Sequence, residues 1–194
     1  MEVIQGEKFQ SLAGDNIFYC HTHDVNAFFQ SRDFPEPFVL ISHNSDGKVV
    51  AGDCGFPNAS LKLAPATLTK WFAQNVLVED DRMVSLPIGL ENNYIPNAQQ
   101  KIEKILAKVK EPKINRNLAY MNFNIHTNYG ARMPVWSMFA GQRFVTPEMP
   151  TDYDRYLDEL YNHAFVICPE GNGTDCHRTW EALYCQTIPA RNRN

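Results

Sequence analysis

Residues 164–190 read AFVICPEGNGTDCHRTWEALYCQTIPA, and this stretch decides the fold. Ala164–Cys168 is a continuous apolar pentad, short enough for a strand buried on both faces. Pro169 ends it, because proline cannot donate to a ladder. Glu170-Gly171-Asn172-Gly173 is turn chemistry, and Thr174 or Asp175 is placed to cap a following helix. From His177 to Gln186 the recurrence of Trp180, Leu183 and Tyr184 at helical spacing predicts a core-facing stripe. A second apolar run opens at Ile188. The unit is therefore strand, glycine-containing loop, helix, strand.

That loop leads into a helix N-terminus, where unpaired N–H groups and the positive end of the macrodipole favour an anion. Arg178 falls in the first turn, where its charge opposes the dipole by a few tenths of a kcal/mol. An Arg–phosphate hydrogen bond contributes roughly 1.5–3 kcal/mol, more than that cost. His177, Arg178 and Glu181 are one, three and four apart, so they cluster over one flank of the helix. Glu181 can accept from sugar hydroxyls, as an acidic residue does in dinucleotide sites. A ligand with one phosphate-rich part and one hydroxyl-rich part would suit both ends, and a nucleotide sugar has both.

These residues resemble the donor-binding signature of exostosin-like glycosyltransferases and related GT-B enzymes, P-x-G-x-G-x-D-x-x-R-x-x-E-A-L followed by Gly-Cys-Ile-Pro. Pro169, Gly171, Gly173, Asp175, Arg178, Glu181, Ala182 and Leu183 match, as do Ile188 and Pro189. The chain departs at Cys185-Gln186-Thr187, where the family carries a small residue, often glycine. The resemblance implies an α/β protein of two Rossmann-like lobes in the GT-B manner. Residues 1–90 would form an acceptor-side lobe. Residues 91–194 would form a nucleotide-sugar-binding lobe, a doubly wound parallel sheet incomplete at its C-terminus. Leu86-Pro87-Ile88-Gly89 resembles the Pro-x-Gly segment at which GT-B chains pass between lobes. The family continues beyond the final strand, so the chain reads as C-terminally truncated, with an exposed apolar face expected near Ile188.

Composition bounds the function classes. A chain of 194 residues can bury about 70% of its unfolded surface, enough for one domain or two small ones. The net charge of −4 argues against nucleic acid as the main partner. No apolar run approaches the ~20 residues of a membrane span, and Met1–Leu12 lacks a signal-peptide core. Five cysteines without framework spacing favour reduced thiols and a cytoplasmic setting.

The rest of the chain supplies the remaining candidates. Cys20, His21 and His23 invite a zinc reading, but a second ligand pair at proper spacing is missing. The bland alternative is a strand end meeting a helix that Asp24 caps. Phe38–Ser42 is an apolar strand running into a polar loop, where open α/β sheets place ligand groups. His43 and Asp46 are thus candidates for the general base that deprotonates an acceptor hydroxyl, against the alternative of an Asx turn. Ala59–Lys70 holds helix formers but contains Pro65, which predicts a short or broken helix. Trp71–Val76 and Met83–Leu86 read as strands around a solvated acidic turn, and Ala98–Lys110 as a helix. Leu118–Ile125 reads as a strand followed by a helix over Tyr129–Ala140. Asn124, Asn128 and Arg132 then repeat the pattern of a polar loop with a cation at a helix start. Arg143–Thr146 reads as a strand and Tyr153–Asn162 as a strong amphipathic helix whose aromatics belong to the core.

The leading expectation is a glycosyltransferase that moves a sugar from a nucleotide-diphosphate donor to a hydroxyl of a glycan or related acceptor. Asn172, Gly173, Asp175, His177, Arg178 and Glu181 would hold the donor, joined by Asn124, Asn128 and Arg132 in the cleft between the lobes. No cofactor and no metal are expected, because the resemblance implies a GT-B enzyme, and these generally need no bound metal for the leaving group. The alternative is a non-catalytic module that holds a nucleotide or sugar phosphate. A thiol enzyme using Cys176 beside His177 is disfavoured, because adjacent residues on a helix point apart.

Overall fold

The computed structural model describes Gln10 and residues 13–92, 95–113 and 117–191. Asn192–Asn194, and the opening segment apart from Gln10, lie outside the described residues. The chain divides into two compact units, Met1–Ile88 with Gly173–Asp175, and Gly89–Asn172 with Cys176–Asn194. Both are α/β. Among the described residues no helix is long and apolar enough to cross a membrane.

The first unit holds β1 (Ile17–His21), α1 (Val25–Gln30), β2 (Phe38–His43), β3 (Val49–Val50), β4 (Ala59–Ser60), β5 (Leu68–Ala73) and β6 (Met83–Ser85). Its main sheet runs β1-β2-β5-β6 with every pairing parallel, and β3 pairs with β4 separately. Val25 and Phe29 of α1 pack with Phe38, Leu40, Leu68 and Trp71 in one apolar cluster. The buried Trp71 indole donates to Ser42 Oγ at 2.8 Å. The expected helix over Ala59–Lys70 is absent. Ala59–Ser60 is a strand, Leu61–Leu63 is one 3-10 turn, and Leu68–Lys70 pairs with β2. Pro65 breaks the helical pattern, and Thr67 and Thr69 donate their hydroxyls to Phe34 O and Phe38 O, so pairing with β2 overrides local propensity. The strand expected to reach Val76 stops at Ala73, and Val76 makes a single bridge to Val49.

The second unit holds α2 (Ala98–Lys108), β7 (Asn117–Asn122), α3 (Tyr129–Phe139), β8 (Val145–Glu148), α4 (Tyr153–Asn162), β9 (His163–Ile167), α5 (His177–Tyr184) and β10 (Ile188–Ala190). The strands order β10-β9-β7-β8, all parallel, as strand–helix alternation requires. Alternate residues of β7 serve two cores. Tyr120 packs with Val166 against α2, α4 and α5, while Ala119 and Met121 pack with Ile167 against Val135, Trp136 and Phe139 of α3. Helices therefore cover both sheet faces. On the α3 side, Ile188 lies in register with Phe165, and the two are 57% and 37% exposed.

Three local expectations are corrected here. The N-cap of α5 is Cys176, without a side-chain cap bond, in place of Thr174 or Asp175. Leu183 is exposed, whereas Thr179 and Ala182 are the buried residues of that helix, and Trp180 and Tyr184 pack partly buried against the same core. Small side chains there let the helix approach the sheet closely. The strand expected at Arg143–Thr146 lies at Val145–Glu148, because its ladder with β7 begins at Ala119 opposite Val145.

Candidate functional site

A cavity of about 330 Å³ opens in the second unit, beyond the C-terminal end of β7. Three turns of chain build it. His177, Arg178 and Glu181 come from the first turns of α5, Tyr153 and Tyr156 from the start of α4, and Lys101 from α2. Asn122, the last residue of β7, closes the floor, with Glu91 and Thr151 at the sides. The end of a parallel strand beside a helix start is where α/β sheets bind ligands.

The expected donor-site residues His177, Arg178 and Glu181 are thus brought together on one wall. His177 Nδ1 donates to Gly89 O at 2.8 Å, since a carbonyl can only accept, which leaves Nε2 as the other ring nitrogen. Arg178 lays its guanidinium over the Tyr156 ring, 5.5 Å from the centroid, and its buried Nε–H has no acceptor. A buried N–H without a partner costs about 1–3 kcal/mol, which an incoming oxygen would relieve. Glu181 is held at both oxygens. Tyr153 donates to Oε1 at 3.2 Å and Tyr156 to Oε2 at 2.8 Å. Burial and then the Glu181 charge raise both phenols above their ordinary pKa, so both stay protonated donors at neutral pH. Lys101 pairs with Glu91 at 2.5 Å and lies over the Tyr153 ring at 5.3 Å.

The other expected donor-site residues are placed differently. Arg132 is buried and donates from Nε to Glu170 O at 2.8 Å and from a terminal nitrogen to Asn124 O at 2.7 Å. Burial first, and then the Arg178 charge, push its guanidinium down from its ordinary pKa. Asn128 donates to Gly171 O at 2.8 Å and accepts from Ala131 N–H, while Asn124 accepts from His126 N–H. Arg132 and Asn128 brace the loop after β9 through Glu170 O and Gly171 O, Asn124 holds Arg132, and none of the three lines the cavity. Asn172 is exposed in that loop.

Gly173 and Asp175 are built into the first unit. The Asp175 N–H donates to Asn75 Oδ1 at 2.8 Å and its carboxylate accepts the Ile88 N–H at 2.8 Å. That N–H is therefore already committed, and a Cβ on Gly173 would come within 2.7 Å of Asn75 Nδ2. In the same unit His43 is buried, with Nε2 2.9 Å from Pro87 O and Nδ1 3.2 Å from Asn44 Oδ1. Asp46 is exposed in the loop that follows. His21 and His23 stack face to face at the end of β1, and His23 Nδ1 meets Ser45 Oγ at 3.1 Å. Among the described residues no group of three or more His, Cys, Asp or Glu is arranged to hold a metal ion. All five cysteines are free, and burial pushes the thiols of Cys20, Cys168 and Cys185 up to about 12, away from nucleophilic use.

Tyr153, Tyr156, Lys101 and Glu91 are site residues that sequence reading assigned elsewhere or passed over. The i, i+3 spacing of the two tyrosines places them on one face of α4, the stripe expected from the sequence to belong to the core. No family model matches the chain, and no curated protein matches it significantly. The cavity brings two cations, Arg178 and Lys101, together with an oriented carboxylate, Glu181, so that it presents both charge for an anion and acceptors for hydroxyls.

Proposed function

We propose that the chain is a glycosyltransferase of the exostosin-like, GT-B kind, taking a nucleotide-diphosphate sugar as donor and a glycan or related hydroxyl as acceptor. The observation that carries this reading is the meeting of Arg178 and Glu181 in one open cavity. Arg178, with an unsatisfied N–H, neutralises charge on the departing diphosphate. Glu181 accepts from hydroxyls, and His177, whose Nδ1–H is committed to Gly89 O, offers Nε2 as a further acceptor to a hydroxyl. The two parallel-sheet units are the two lobes of such an enzyme in this reading, with Asp46 the base candidate that remains exposed.

A second reading, a module that binds the donor without turning it over, is favoured by one observation. His43 has both ring nitrogens engaged and is 1% exposed, so it is poorly placed to take a proton from an acceptor. Release of nucleoside diphosphate from UDP- and GDP-sugars separates the two. Slow hydrolysis that Arg178→Ala abolishes supports the transferase. Tight binding without any release supports the module.

A further inference from the structure

Two tyrosines one turn apart on α4 each touch a charged pair. Tyr156 gives its hydroxyl to one Glu181 oxygen and its ring face to Arg178. Tyr153 gives its hydroxyl to the other oxygen and its ring face to Lys101. A free glutamate has three side-chain torsions, and fixing them at the moment of binding costs entropy. Here both carboxylate oxygens are pinned beforehand, from one rigid helix.

The count of acceptor positions sharpens this. An ionised carboxylate offers about four lone-pair sites, and the tyrosines take one on each oxygen. One further site remains on each oxygen, so two hydroxyl donors on neighbouring carbons can be accepted together. A phosphate cannot be accepted there, because it brings no donor.

We propose that Tyr153 and Tyr156 are positioning residues that aim both oxygens of Glu181 at a vicinal diol of the ligand. The proposal rests on the reading of this cavity as a nucleotide-sugar site. The diol belongs either to the ribose or to the transferred sugar, and the same chemistry serves both. Without the two hydroxyls the carboxylate turns freely and the diol loses its two-point contact, while the cations of the cavity keep their grip on phosphate.

The test is calorimetric binding of UDP-glucose, UDP and 2′,3′-dideoxy-UDP, with the guanosine series alongside. Wild type, Tyr153→Phe, Tyr156→Phe and the double variant are compared, each checked for an intact far-UV spectrum. Wild type is expected to prefer the diol-bearing member of a pair by about tenfold, the worth of a lost polar contact. The double variant is expected to lose that preference while holding the dideoxy diphosphate within about threefold of wild type. A preference lost between UDP and its dideoxy form assigns the diol to ribose. One lost between UDP-glucose and UDP assigns it to the sugar. Should the double variant unfold, Tyr153→Phe alone must halve the preference, since that ring is only partly buried. Equal loss for every probe in a folded variant, or an unchanged preference, overturns the positioning role and leaves the donor reading standing. Failure of wild type to bind any probe overturns both.

Discussion

Asn75 takes the backbone N–H of Asp175 on its side-chain oxygen at 2.8 Å, across one hundred residues of sequence. Asn75 is itself buried in the left-handed region at φ 55°. Its amide nitrogen is where a Cβ on Gly173 would arrive. Gly173→Ala is therefore expected to cost about 1–3 kcal/mol of stability, the usual range for overpacking. Gly52→Ala, whose Cβ meets nothing within 4 Å, is the control and is expected to be neutral or slightly stabilising. Urea denaturation of both variants checks this, and equal midpoints would refute the packing claim.

Arg132 and Arg178 are expected to part company in the same way. Arg132→Met takes the donor from two carbonyls, Glu170 O and Asn124 O, with an expected loss of about 1–3 kcal/mol. Arg178→Met removes a buried N–H that has no acceptor, so thermal stability is expected to hold or rise. Melting curves taken without nucleotide decide between them. A larger fall for Arg178→Met would mean that its charge serves the fold.

The raised phenols of Tyr153 and Tyr156 set an alkaline limit. An unfolded tyrosine ionises near pH 10, whereas the folded ones resist to higher pH. Above about pH 10 the unfolded state thus binds fewer protons than the folded state, and stability falls as pH rises. Below that pH their contribution is fully present. Tyr153→Phe with Tyr156→Phe should flatten the fall between about pH 10 and 11, measured by denaturant midpoints across pH. An unchanged slope would show that the hydroxyls are not sheltered.

Lys101 shares the cavity with Arg178 and is tied to Glu91. Exchange of that carboxylate for a ligand phosphate gives the site a second cation. Lys101→Met is expected to weaken a nucleoside diphosphate about tenfold, the monophosphate less, and stability by about 1 kcal/mol or less. Equal weakening of both nucleotides would confine Lys101 to a structural role.

Much of the fold was legible because parallel strands buried on both faces and strongly amphipathic helices leave local signatures. Tyr153–Asn162 occupies the expected residues, and the strand, loop, helix, strand order of residues 164–190 is the order found. Ala59–Lys70 was not legible, because the partner that makes Leu68–Ala73 a strand is β2, thirty residues away. Gln186 marks another limit. It takes φ 57° at the exit of α5, a strain of about 1–2 kcal/mol for a residue other than glycine, between the buried Cys185 and Thr187. In the cavity, the shared face of Arg178 and Glu181 could be read from spacing, since i, i+3 residues lie on one side of a helix. Which polar residues became braces could not. Arg132 and Asn128 look like ligand groups until the carbonyls of Glu170 and Gly171 are seen to claim them. Tyr153 and Tyr156 look like core until Glu181 is found between their hydroxyls.

Binding of UDP- and GDP-linked sugars to wild type and Arg178→Ala, followed by thermal shift and calorimetry, bears most directly on the proposed donor site. Wild type should be stabilised by at least one donor, and the variant should melt at a similar temperature without ligand yet gain nothing from that donor. Stabilisation that survives in Arg178→Ala, or no response of wild type to any nucleotide sugar, would contradict a donor site built on Arg178 and Glu181.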